Sequence, residues 1–203
     1  MLLQTKFYRP HWNVALVARP HLLARLNDAL QRQLTLIAAP AGFGKTMLVS
    51  EWLAALGKPN ADNQANVAKA EFAQRQANAQ LPDCCWLALD EGDNDPVRFF
   101  AHFMAALGAV APQLGQVAEL LLQAPQLPAV ETLMTGLIND LRSSNRPVVF
   151  VLDDYHVIET QAIHDALAFL LDHLPLPLHL VITTRADPPW RLASTVGRRY
   201  HGS

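Results

Sequence analysis

The chain has 203 residues, 51% of them hydrophobic and 17% charged, with a formal net charge of −2. That composition excludes a disordered chain and suffices for one α/β domain with a sizeable core. So small a charge gives no basic field for nucleic acid, and no apolar run reaches membrane-spanning length.

Residues 1–18 read as extended, with Pro10 and Trp12 in a loop. Arg19-Pro20 opens a helix whose apolar stripe is Leu22, Leu23, Leu26 and Leu30. Leu34 to Ala38 is the first buried strand, and Thr46 to Leu56 is a helix ended by Gly57 and Pro59. Between them lies Ala39-Pro40-Ala41-Gly42-Phe43-Gly44-Lys45-Thr46, followed by Met47. A strand, a glycine-bearing turn and a helix are what a phosphate-binding loop (Walker A) requires. Backbone N–H groups of the turn converge on the positive end of the helix dipole. Gly42 and Gly44 admit backbone angles that a Cβ would block. Lys45 reaches phosphate oxygens as a point charge, and Thr46 offers a hydroxyl to Mg2+. Ala39 stands where the usual pattern has Gly, which a negative φ tolerates. The competing reading is a glycine-rich turn with a surface lysine, and the flanking elements argue against it.

Residues 58–82 are rich in Ala, Gln and Asn and read as an exposed insertion. Cys84 and Cys85 begin the second strand (84–89), where neighbours face opposite ways. No disulfide framework follows from them, and a reducing cytoplasm fits. Asp90 ends that strand, either beside a metal or as a carboxylate that structures its loop; the loop role is favoured. Asp95-Pro96 is a helix start with Asp as N-cap. Phe99, Phe100, Phe103, Met104 and Leu107 give that helix its core face. Residues 109–128 hold Pro112, Pro125 and Pro128 around a short apolar helix, and Leu133 to Leu141 mark the next.

Val148 to Leu152 is a continuous apolar run ending in Asp153 and Asp154. Charges at the carboxyl end of a buried parallel strand lie where open α/β sheets bind ligands. This is the Walker B arrangement, with Asp153 holding Mg2+ and Asp154 orienting or deprotonating water. The plain alternative is an Asp-rich turn, with Asp154 as a capping acid. Thr160 is the N-cap of a helix lined by Ile163, Leu167, Leu170, Leu171 and Leu174. Leu178 to Thr184 is the last clear strand, with Arg185 at its end. In additional-strand P-loop ATPases, a polar residue there senses the γ-phosphate. Arg185 suits that role, or it pairs with Asp187 or the Asp153-Asp154 acids. The eight histidines show no metal-ligand spacing.

Four ordered motifs carry a family resemblance: Ala39 to Thr46, Trp86 to Asp95, Leu152 to His156, and Thr183 to Pro189. With Thr5 to Pro10 and Val17 to Leu26, they resemble the nucleotide-binding domain of MalT-like large ATP-dependent LuxR-type transcriptional regulators. These are signal-transduction ATPases of the STAND class. The resemblance implies a three-layer P-loop NTPase with a parallel sheet ordered 5-1-4-3-2. Residues 1–33 would form an N-terminal segment and helix, 34–192 the NTPase domain, and 193–203 an unassigned tail. No fifth strand is evident, so the loop-bearing strand is expected at an open, aggregation-prone edge.

The resemblance also implies ATP and Mg2+ as ligands, weak ATPase activity at most, and a nucleotide-dependent self-associating switch in the cytoplasm. Arg19 would reach the nucleotide, or would be a surface charge at a helix start. A DNA-reading helix-turn-helix and an inducer site are expected downstream of this segment, as if the chain were cut short. The rival reading is a remnant that binds nucleotide without turnover, or only partners. A P-loop kinase would need an arginine-rich lid and an acceptor pocket, and neither is evident.

Overall fold

A computed structural model describes residues 2–10, 19–56, 82–123, 128–144, 146–175, 178–189 and 197–201. Five strands, β1 (Leu34–Ala38), β2 (Asp83–Ala88), β3 (Val148–Asp153), β4 (Leu178–Thr184) and β5 (Gly197–His201), form one sheet in the order β2-β3-β4-β1-β5. Every pairing is parallel. All residues of β1, β3 and β4 are buried, as befits strands with helices on both faces.

Alternation along the strands divides the core. Leu34 and Leu36, Phe150 and Leu152, and Leu180 and Ile182 face one layer. That layer holds α3 (Pro96–Leu107), α4 (Pro112–Gln123), α5 (Val130–Ser144) and α6 (Gln161–Asp172). Ile37, Val149, Val151 and Val181 face the other. There lie α1 (Pro20–Ala29) and α2 (Lys45–Leu56), packed through Leu26, Val49 and Trp52.

The four expected strands take the expected order, but the fifth strand is present. Residues 197–201, inside the stretch set aside as a tail, pair with β1 from Leu34↔Gly197 to Ala38↔His201. The strand that carries the phosphate loop is therefore interior, and the open edge expected there does not arise. Gly-Arg-Arg-Tyr-His has no apolar run to announce a strand; β1 supplies the ladder. The insertion expected at 58–82 lies outside the described residues, apart from Pro82.

The N-terminal segment also departs from expectation. Gln4–Phe7 is a short 3-10 turn packed on β2. It buries Lys6, whose amine meets Asp93 and, at 2.8 Å, Asp90. Asp93 is fully buried and also takes hydrogen bonds from the Asp90 amide and His102 Nδ1, each at 2.9 Å. Burial alone would raise the Asp93 carboxyl, but the hydrogen bonds from His102, Lys6 and the Asp90 amide, with the Lys6 charge, hold it below its usual value.

The turn after β2 is also locked to the turn after β3. Asn94 donates to Val157 O at 2.8 Å and Glu91 O at 3.1 Å. Its Oδ1 accepts from the Glu159 amide at 2.7 Å and the Thr160 amide at 3.2 Å. Thr160 stands at the N-cap of α6 as expected, yet its hydroxyl donates to Asn94 O at 2.7 Å rather than capping the helix. Asp95 does cap α3, accepting from the Arg98 amide at 2.8 Å.

α3 and α4 form a hairpin around a glycine contact. A Cβ on Gly108 would stand 2.8 Å from Gly115 Cα, against backbone that cannot yield. Gly108→Ala is expected to lower stability by about 1–3 kcal/mol in urea unfolding. Gly136→Ala in α5, where nothing lies within 4 Å of the new Cβ, should instead gain about 1 kcal/mol.

Candidate functional site

β1 delivers the chain into the loop and α2 takes it away, starting at Lys45. Gly42 has φ 82° and Gly44 φ 70°, both left-handed. A Cβ on Gly42 would enter open space, so that glycine serves the backbone angle. Gly44 also serves the angle, since the Arg19 Nη2 that lies 3.4 Å from where its Cβ would be is at ordinary contact distance. Arg19 donates to Phe43 O at 3.0 Å, which ties the start of α1 to the loop. The Lys45 side chain is buried, and its amine donates to Ala39 O at 2.8 Å and Pro40 O at 3.2 Å.

Beside the loop is a cavity of about 620 Å3. Leu22, Leu26, Ile37 and Leu48 give it apolar walls, with Arg19 and His21 at its polar side. Of the predicted loop residues, Ala39, Ala41, Gly42, Phe43 and Lys45 border it. Met47 is the half-buried third residue of α2. An apolar slot opening onto a lysine and a helix N-terminus suits a flat heterocycle joined to an anionic chain.

Thr46 links the loop to the acids. Its hydroxyl donates to Asp153 Oδ1 at 3.1 Å, from the first turn of α2 to the end of β3. Asp153 is buried, and its Oδ1 also accepts from Thr183 Oγ1 at 2.6 Å. Burial pushes this carboxyl above its usual range, against hydrogen bonds from Thr183 and Thr46 and the Lys45 charge. A hydroxyl and one carboxylate are hard oxygen donors, the set Mg2+ takes when phosphates and water complete its shell. Among the described residues no cluster of three His, Cys, Asp or Glu side chains offers a denser metal site.

Asp154 is the one non-glycine residue with positive φ among those described, at φ 60° and ψ 39°. The turn swings its half-exposed carboxylate off the strand. His156 Nδ1 lies 3.7 Å from Asp154 Oδ1 and has no hydrogen-bond partner among the described residues. Burial holds the His156 pKa down, as do the Arg185 and Lys45 charges, while Asp154 opposes them. Exposed Arg185 thus shares the electrostatic neighbourhood of Lys45 and Asp154.

The structure therefore brings Lys45, Thr46, Asp153, Asp154 and Arg185 to one rim of the sheet. Asp90 also lies at that end of the sheet, one residue past the Leu89 amide that donates to Asp153 O at 3.0 Å, but it caps the turn Glu91–Asn94 and accepts from the Gly92 amide at 2.9 Å, the loop role favoured for it. Sequence reasoning assigned no site role to Thr183 or His156, although both lie inside the quoted motifs. Their positions, two residues before Arg185 and two after Asp154, were the available signal. Cys84 is exposed and Cys85 buried, facing opposite ways as expected, and burial pushes the Cys85 thiol up to about 12. No described helix is long and apolar enough to cross a membrane.

The regulator described as HTH-type transcriptional regulator MalT of Klebsiella pneumoniae is 34% identical over 194 residues, 96% of this chain. MalT of Yersinia enterocolitica is 32% identical over the same share. The chain spans 19% of the length of these curated relatives. Among solved structures, Drosophila ORC bound to poly(dA/dT) DNA and Cdc6 is similar at TM-score 0.47 and 14% identity, over 90% of this chain and 28% of that one. Cdc6p of Pyrobaculum aerophilum is similar at TM-score 0.45 and 16% identity, over 89% and 41%. The AAA ATPase domain model matches residues 15–183, a span holding the loop, both acids and Thr183, and the chain belongs to that family.

Proposed function

We propose that this chain is the ATP- and Mg2+-binding switch module of a LuxR-type, STAND-class transcriptional regulator, acting in the cytoplasm with slow hydrolysis at most. The observation that carries the reading is the 3.1 Å bond from Thr46 to Asp153, on the rim where the Lys45 amine is buried. Lys45 and the amides of Gly42 to Thr46 hold the phosphates, and the apolar cavity takes the base, with Arg19 at its border. Thr46 and Asp153 hold the metal. Mg2+, when bound, supplies positive charge to the phosphate oxygens. Asp154 orients the attacking water, and Arg185 faces the terminal phosphate. Nucleotide-dependent self-association belongs to the same proposal, and DNA reading and inducer sensing fall to other parts of such a regulator.

Titration with a fluorescent ATP analogue, alongside phosphate release, tests this. Asp154→Asn should bind ATP with Mg2+ within about twofold of the parent and lose roughly 100-fold in phosphate release. Tight binding with no release by the parent would favour a nucleotide-binding module without turnover. No binding by the parent would end the reading.

A further inference from the structure

We infer that Thr183 is a positioning residue that sets both acids of the site through one hydroxyl. The inference rests on the nucleotide reading above and assigns a role to a residue that reading leaves unused. Thr183 is fully buried in β4. The β3–β4 register pairs Leu152 with Ile182, so the next step sets Asp153 and Asp154 beside Thr183. A threonine hydroxyl has one proton and two lone pairs. The Asp154 amide donates to it at 2.9 Å. Its own proton goes to Asp153 Oδ1 at 2.6 Å, a short, charge-assisted bond.

The two bonds do different work. One holds the carboxylate oxygen that also accepts from Thr46, which fixes the acid against the start of α2. The other pins the backbone amide at the residue with φ 60°, the turn that aims the second acid. An unpinned left-handed Asp is free to relax toward ordinary backbone angles. Arg185 follows two residues later on the same strand end, so a displacement of β4 felt at Arg185 also reaches both acids through this hydroxyl. A buried strand position filled only for packing would take valine, which matches threonine in shape and loses both bonds.

The test uses the 203-residue chain, an ATP analogue, and Mn2+ in place of Mg2+ as a spin probe. Thr183→Val should bind the analogue in chelator within about twofold of the parent. The Mn2+ concentration that half-saturates the nucleotide complex should rise about tenfold, the loss expected for one hydrogen bond to a charged group. Thr183→Ser should restore it to within about threefold, because the hydroxyl returns. Circular dichroism checks the fold, and Thr183→Ala against Thr183→Ser gives the same tenfold contrast if the valine variant does not fold. Parent-like Mn2+ demand in Thr183→Val, or a serine variant no better than alanine, overturns the role of Thr183 and leaves the nucleotide reading standing. A parent that binds neither the analogue nor its Mn2+ complex overturns both.

Discussion

Lys6→Ala is expected to lower stability by about 3–5 kcal/mol at neutral pH, the loss typical when one partner of a buried ion pair is removed. The Asp93 carboxylate is fully buried in the parent, and the substitution removes the ammonium that meets it. His102 and the Asp90 amide still donate, but the charge that balanced the acid is gone, and Arg98 Nε stands off at 3.7 Å. The sign of the pH dependence checks the cause. In the parent, the folded-state pKa of Asp93 is held below its unfolded value. That stabilisation is complete above the unfolded pKa and is lost as pH falls from there through the folded pKa. In Lys6→Ala, burial still raises the carboxyl while the Lys6 hydrogen bond and charge that lowered it are lost, so the folded pKa moves up. Acidification then neutralises the stranded carboxylate, and the gap between parent and variant narrows. Urea melts at pH 7 and near pH 4 measure this. A gap below 1 kcal/mol at pH 7, or one that widens in acid, would show that the N-terminal turn is only draped on β2.

Lys45→Ala is expected to weaken ATP–Mg2+ binding by roughly 100-fold, about 3 kcal/mol, the upper range for hydrogen bonds to a charged group. The fold should barely change. Among the described residues the amine donates to the Ala39 and Pro40 carbonyls; Ala39 borders the cavity and Pro40 is exposed, so water reaches both once the side chain is gone. Analogue titration with a parallel urea melt separates the two effects. An affinity within threefold of the parent would mean that Lys45 does not face phosphate.

The site was more legible in the sequence than its supports. The spans of β1 and β4 follow from runs apolar on both faces, Leu34 to Ala38 and Leu178 to Thr184. β2 begins one residue earlier than expected, at Asp83, and β3 takes in Asp153. The loop and the twin acids were visible because their chemistry is local: glycines, a lysine and carboxylates at the ends of strands. Lys6 was not, because its partner is 87 residues away and a lone lysine in a short polar stretch reads as surface. Thr183 was hidden by its own propensity, since a β-branched residue in a strand needs no further explanation. β5 was missed because Arg198 and Arg199 break any apolar pattern, and pairing to β1 overrides the local signal.

Asn94 has a mechanical consequence. By bonding to Glu91, Val157, Glu159 and Thr160, it makes the rims beyond β2 and β3 a single stiff block, and the acids ride on that block. On the other face, α1 meets the loop through the exposed bond from Arg19 to Phe43 and is held to α2 by Asn27, which accepts from Trp52 Nε1 at 2.8 Å. Through Asn94, a shift of one turn is therefore carried to the other, so the ends of β2 and β3 move together.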